Sequence, residues 1–387
     1  MRPLIHNIKK HGWLLGLPVF LIVMTVVVVV HAPHPEAASS EPQEEITSTA
    51  VHTPTMVHIA LPSEVRGFYW TATTAGSARA QELLAYLKEY GLNTVVIDLK
   101  MDDGELAFAP QDDFLKLYGQ PRPAIADLDA LTTMLADEGV YRIARIAVMR
   151  DGAFARVHPE LAMRTAGGEL WKDKIGSLWL DPTALQVADY AIALGREAYA
   201  RGFDEVQFDY VRFASDGAVN RIVYPVYDGK TSMTQIMQTF FARVGGAMQA
   251  DQIPVSFDLF GMTFWSYRDF NIGQRLVDAL PYADWVSPMV YPSHYPDGFE
   301  GFANPAEAPY EIVRRSLDEG TRLTHGFWSG SDEQLRAKWR PWLQDFDIGA
   351  VYTSDKIEAQ IKAARDAGAS GWILWNARNV YEPAQYK

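Results

Sequence analysis

From residue 63 onward the chain changes its period again and again, and this constrains its fold more than any other feature. Short runs rich in β-branched and aromatic residues alternate with longer helical stretches, and the helical stretches close on glycine. Val65 to Thr71 is followed by a helical pattern from Ser77 to Tyr90 that stops at Gly91. Thr94 to Lys100 is followed by one from Asp127 to Glu138 that stops at Gly139, and Tyr141 to Asp151 by one from Pro182 to Arg201 that stops at Gly202. Glycine takes the left-handed turn at a helix end without steric cost. Further strands are expected at Phe203 to Phe213, Ile253 to Gly261, Asp284 to Tyr291, Lys338 to Phe346 and Gly371 to Asn376. Parallel strands need crossovers of this length, so eight of them in this order predict an α/β fold, a closed (β/α)8 TIM barrel over residues 63–387. An open doubly wound sheet is the competing fold. It is disfavoured because Tyr69-Trp70-Thr71-Ala72-Thr73, the turn after the first strand, is no glycine-rich phosphate loop.

The preceding residues follow different rules. Residues 1–12 carry Arg2, Lys9 and Lys10, and residues 13–30 are uncharged and close on five consecutive valines. At about 1.5 Å per residue such a stretch nearly crosses a bilayer core, so one N-terminal membrane anchor helix is expected. The basic flank holds its own end in the cytoplasm and places the barrel on the extracytoplasmic side of the cell membrane, single-pass. Cleavage as a signal segment near Glu36-Ala37-Ala38-Ser39, giving a secreted protein, is the alternative. Residues 31–62 are rich in Pro, Glu, Ser, Thr and Ala and read as a disordered linker.

Composition removes several classes of function. The 35 basic and 48 acidic residues give a net charge of −13, which repels a phosphate backbone, so nucleic acid is not an expected partner. With no cysteine, thiolate nucleophiles, zinc ribbons and iron–sulfur clusters are excluded. No cofactor is expected and no metal ligands are assigned, although carboxylate-rich loops leave calcium open.

Barrel chemistry sits at the C-terminal ends of strands. In Val206-Gln207-Phe208-Asp209 the apolar pair alternates with the polar one, so if Val206 and Phe208 face the helices, Asp209 faces the barrel axis near the mouth. Ser256 and Asp258 repeat the pattern on the fifth strand. Two carboxylates suit glycosidic bond cleavage, one as nucleophile or base and one as acid. Asp209 and Asp258 are therefore the candidate catalytic pair, with a structural polar network through Lys100, Arg145 or Arg212 as the alternative. Flat sugar faces stack on aromatic rings, which brings in Trp70, Trp265, Tyr291 and Trp375. Asp98, Lys100, Arg145, Arg212, Gln344, Asp345 and Asn376 complete the candidate substrate-binding set. A polysaccharide or oligosaccharide is the expected partner, beside the membrane itself.

Five segments also resemble a known family. They are Arg66 to Thr71, Thr94 to Lys100, Gly202 to Phe213, Arg340 to Phe346 and Gly371 to Asn376. They are similar to a bacterial family of glycoside hydrolases formerly called a domain of unknown function, itself distantly similar to the α-amylase and α-galactosidase barrels. The likeness implies a retaining enzyme whose nucleophile is the Asp ending the fourth strand, Asp209. The amylase branch implies an acid on the fifth strand and a further Asp on the seventh, which correspond to Asp258 and Asp345. This chain departs by carrying Asp rather than Glu at 258. The α-galactosidase branch implies an acid from the sixth strand, where no carboxylate appears before Asp297.

Two other readings compete. Met101-Asp102-Asp103-Gly104 resembles the metal-binding turn of polysaccharide deacetylases, but His158, His294 and His325 show no helical pairing. A catalytically silent barrel that only binds glycan is the second. A cation clamped on Asp209 would favour binding, and two unlocked acids across one cleft would favour hydrolysis.

Overall fold

The computed structural model describes residues 56–119, 122–384 and 386, which belong to one compact unit. The expected segments 1–12 and 13–30, and most of the linker, lie outside the described residues. Among the described residues no helix is long and apolar enough to cross a membrane.

Eight parallel strands close on themselves in sequence order: β1 (Val65–Trp70), β2 (Thr94–Lys100), β3 (Tyr141–Ala147), β4 (Glu205–Asp209), β5 (Val255–Phe260), β6 (Trp285–Met289), β7 (Trp342–Gln344) and β8 (Gly371–Trp375). The crossovers carry α1 (Arg79–Tyr90), α2 (Leu128–Asp137), α3 (Leu185–Ala200), α4 (Met233–Ala250), α5 (Leu276–Ala279), α6 (Pro309–Thr324) and α7 (Ser354–Asp366). The closed barrel is the expected fold. Local chemistry sets its ends: Asp127 caps α2 by accepting from the Ala130 N–H, Ser232 and Gln235 form a reciprocal cap on α4, and Gly91 closes α1 at φ 73°.

Every strand except β2 is shorter than its sequence pattern, β3, β4 and β7 by the most. β4 stops at Asp209 because Tyr210 turns left-handed at φ 53°, a costly conformation for a bulky residue. β3 stops at Ala147, after which Arg150 bridges to Trp179 and Asp151 caps the short helix Gly152–Val157. The insertion from 158 to 182 that this meets is an irregular ribbon of antiparallel bridges at the mouth.

Parity decides which side chains enter the barrel. Val206 and Phe208 pack outward into the layer between sheet and helices, leaving Glu205, Gln207 and Asp209 for the axis. The interior holds Tyr69, Val96, Tyr141, Ile143, Trp342 and Ile373 around these polar groups. At the floor Glu205 accepts from Arg340 Nη1 at 2.8 and 2.7 Å, from Ser256 Oγ at 2.6 Å and from the Tyr141 hydroxyl at 3.2 Å. Both charged side chains are 0% exposed.

The end of the expected linker corrects its assignment, since residues 56–62 are docked on the barrel floor. Arg142 Nη2 donates to the Val57 carbonyl at 2.7 Å, and the Ile59 N–H donates to Asp204 Oδ1 at 2.6 Å. His58 stacks on Tyr199 with ring centroids 4.0 Å apart, and Ile59 packs against the interior cluster. Residues 56–62 read Met-Val-His-Ile-Ala-Leu-Pro, an apolar end to an otherwise polar stretch, and Ile59 with two backbone hydrogen bonds anchors it.

Candidate active site

β2, β3, β4 and β5 bring four charged side chains to one level at the mouth. Arg145 Nη1 donates to Asp98 Oδ1 at 2.5 Å. Its Nη2 and Nε donate to Asp209 Oδ2 at 2.5 and 3.1 Å, and Nε stands 3.9 Å from Asp258 Oδ2. One guanidinium is shared by three carboxyl groups. The Asp209 and Asp258 oxygens flank the same nitrogen, so they are no further apart than those last two lengths laid end to end. That limit holds for the nearer oxygens alone and is compatible with the retaining spacing of about 5 to 5.5 Å.

Each acid has its own second contact. Asp98 accepts from the Tyr69 hydroxyl, and Asp209 Oδ1 accepts from the Tyr210 N–H at 2.5 Å. Asp258 Oδ1 accepts from the Trp342 indole at 2.7 Å, while its Oδ2 is buried with no hydrogen-bond partner among the described residues. Burial, and next the Asp209 charge, push the Asp258 carboxyl well above the usual carboxylate range, against the pull of Arg145 and the indole. Burial also raises the Asp98 carboxyl. Burial therefore favours the protonated form of Asp258.

A cavity of about 150 Å³ opens over this cluster, lined by Asp209, Tyr210, Arg212, Tyr291, Trp342 and Trp375 among others. Among the described residues Asp209 is the single carboxylate on its wall. Trp375 stacks on Tyr69 at 4.1 Å and has the Arg145 guanidinium 5.3 Å from its ring centroid. A second cavity of about 370 Å³ adjoins the first through Phe260, Met289 and Tyr291 and adds His294 and Tyr295. Burial lowers the His294 pKa, favouring the neutral imidazole. A larger groove of about 470 Å³, lined by Leu185, Ala188, Ile236 and Phe240, lies on α3 and α4 and includes none of these residues.

The structure thus gathers Asp209, Asp258, Asp98, Arg145, Arg212, Tyr291 and Trp375 and disperses the other candidates. Asp258 lies deeper than Asp209, its side chain 1% exposed against 11%, so the two acids do not both open on one cleft. Trp70 shares the outward parity of Phe68, meets its ring edge-on at 5.7 Å and is sealed in the helix layer. Lys100 is spent on Asp151 at 2.8 Å and on the Ala147 carbonyl at 2.5 Å. Gln344 accepts from the Ser293 N–H at 3.1 Å and donates to the Phe346 carbonyl at 2.9 Å, tying two loops together. Asp345 has the opposite parity to Trp342 and Gln344 and faces the C-terminal tail, accepting weakly from the Glu382 N–H at 3.3 Å; burial pushes its carboxyl up to about 7. Asn376 donates to the Asp345 carbonyl beyond the end of β7 and to the Val380 carbonyl in its own turn, and Trp265 donates to Ser316 at 2.9 Å while packing on Phe299.

Tyr69, Tyr210 and Trp342 were absent from the sequence-derived set. Parity on β1 and β7 marks Tyr69 and Trp342 as inward once Phe68 and Leu343 are taken as core, whereas nothing in the sequence marks the left-handed turn at Tyr210. The Asp102-Asp103-Gly104 turn is a tight turn closed by the Gly104 N–H donating to the Met101 carbonyl at 3.0 Å, with Asp102 bound by Arg150. Among the described residues no group of three His, Asp or Glu side chains is placed to hold a metal ion.

Comparison with known proteins agrees with this architecture. The glycoside hydrolase domain of PgaB (BpsB) from Bordetella bronchiseptica superposes with a TM-score of 0.55 at 13% identity, over 81% of this chain and 94% of that one, a likeness of fold. A hypothetical protein from Ruminiclostridium thermocellum ATCC 27405 is 26% identical over 49% of this chain and 96% of its own, with a TM-score of 0.43. The α-galactosidase TtGalA from Thermus thermophilus is 16% identical over 83% of this chain and 63% of its own, with a TM-score of 0.48. No curated protein matches the chain. A family model described as "Putative glycosyl hydrolase domain" matches residues 67–381, nearly the whole barrel, and the chain therefore belongs to that glycosyl hydrolase domain family.

Proposed function

We propose that the barrel hydrolyses glycosidic bonds in an envelope or exopolysaccharide glycan, on the outer side of a membrane to which residues 13–30 anchor it. The observation that carries this reading is Asp209 on the wall of a ring-sized cavity with Asp258, its carboxyl pKa raised, close behind it; the Arg145 clamp on Asp209 favours binding instead. Asp209 attacks the anomeric carbon and forms a covalent glycosyl ester as the linkage oxygen departs with a proton. Asp258 supplies that proton, then takes one from the water that cleaves the ester, so the anomeric configuration is retained. Its Oδ2, without a hydrogen-bond partner among the described residues, is the atom that carries the proton. Trp375 offers its face to the sugar.

A second reading has a specific observation in its favour. The Arg145 clamp on Asp209 and the seal over Asp258 suit a barrel that binds glycan without cleaving it. Incubating the full chain with envelope and exopolysaccharides and measuring new reducing ends separates the two. Hydrolysis requires release that Asp209→Asn abolishes, with the product first appearing as the retained anomer by NMR. Saturable binding without release by the wild-type chain assigns binding alone.

A further inference from the structure

Arg212 differs from the other buried guanidinium groups around the barrel in having no carboxylate partner among the described residues, although Arg340 also leaves Nε and Nη2 buried without a hydrogen-bond partner. Arg142 meets Asp204, Arg145 meets Asp98 and Asp209, Arg150 meets Asp102, and Arg340 meets Glu205. Arg212 is 7% exposed, on the wall of the mouth cavity, and forms no ion pair among the described residues. Its Nη1 donates to the Phe213 carbonyl at 3.0 Å and to Ser215 Oγ at 3.1 Å. Nε and Nη2 have no partner among the described residues. Three rings hold the guanidinium, with centroids 4.6 Å away for Phe260, 4.8 Å for Trp179 and 5.5 Å for Tyr210.

A ring face attracts a cation but takes none of its in-plane N–H bonds. The fork of Nε and Nη2 is the edge that matches two carboxylate oxygens, and here it stays unused beside a cavity. Burial works against the charge and lowers its pKa, with Asp209 and Asp216 acting back from longer range. A buried cation left in this state is an open demand for an anion. The chain as a whole is negative, so attraction of an anionic ligand has to come from such a local group.

We propose that Arg212 anchors a carboxylate on the sugar ring that occupies the mouth cavity, which makes the substrate an acidic, uronate-containing glycan. This rests on the hydrolase reading of the cavity. In a uronic acid the carbon bearing the carboxylate and the anomeric carbon flank the ring oxygen. A wall that carries both Arg212 and Asp209 therefore grips one and faces the other.

The test titrates the full chain with glucuronate, galacturonate and mannuronate, each against its neutral hexose. At least one uronate should bind more than about tenfold tighter than its hexose. Arg212→Gln should erase that preference while leaving hexose affinity within about twofold, and Arg212→Lys should keep part of it. Equal affinity within all three pairs for the wild-type chain overturns the proposal even if Arg212→Gln does not fold. Equal loss of uronate and hexose binding in a folded Arg212→Gln also overturns it. If uronate preference stands while no glycan is cleaved, the hydrolase reading fails by itself. Cleavage of neutral glycans by the wild-type chain at the rate of their uronate-containing counterparts ends the proposal by itself.

Discussion

The barrel contains two buried charge clusters that solve opposite problems. At the floor Arg340 and Glu205 meet one to one, with Ser256 and Tyr141 completing the carboxylate's hydrogen bonds, all shut from solvent. At the mouth Arg145 is divided among Asp98, Asp209 and Asp258, and one of the three acids opens on a cavity. A matched pair costs least when it never changes, whereas an excess of carboxyls over cations stores a proton that can be moved. Burial alone does not tell these clusters apart; the ratio of acids to cations does.

The sharpest way to break this contrast is to change one acid in each cluster. Asp209→Asn should lower kcat/KM at least about 10³-fold, because it removes a group that bonds to the reacting carbon, while urea unfolding stays close to wild type. Turnover by Asp209→Asn near the wild-type rate would move the chemistry elsewhere. Glu205→Gln and Arg340→Met should instead cost about 3 to 5 kcal/mol of stability, the usual consequence of stranding one partner of a buried ion pair. Activity per folded molecule should then remain within about twofold; a stable floor variant with lost turnover would contradict the division of roles.

Asp345 sharpens the contrast from outside both clusters. Its carboxyl lies at about 7 in the folded chain against an ordinary 3.8, so the folded state binds the proton more tightly than the unfolded one. That contribution is complete below 3.8 and is lost as pH rises toward 7. Urea unfolding across this window should show stability falling with pH by a few kcal/mol in the wild-type chain and a shallower slope in Asp345→Asn. Activity should be unaffected; an unchanged slope would show that the tail leaves the group solvated. The smallest effect is expected for Trp375→Ala, which should raise KM about tenfold with kcat changed less, since it removes a stacking face and no reacting group. Unaltered KM would take Trp375 out of the cleft.

Much of this was legible in the residues. Alternating periods and glycine stops announced the closed eight-stranded barrel, and the parity of Val206 and Phe208 put Asp209 on the axis. The same parity rule, applied to Trp70 and Asp345, would have turned them away from the cleft, because Phe68 and Leu343 define the outward face of β1 and β7. The fate of Lys100 was not legible: its carboxylate, Asp151, sits beyond a strand that ends four residues earlier than its pattern. Nor was the depth of Asp258, which depends on Trp342 arriving from across the barrel. Alternation reports the facing of a side chain, while its burial depends on what the opposite strands contribute.

Whether the mouth keeps a proton is the point on which the division of roles turns. Difference infrared spectroscopy at pH 7 on the full chain can read it through the carbonyl stretch of a protonated carboxyl. That band should be present in the wild-type chain, weakened by Asp258→Asn and unaffected by Glu205→Gln. A spectrum that Asp258→Asn leaves unchanged would mean that Asp258 is ionised beside Asp209, and the mouth would then hold no acid to give.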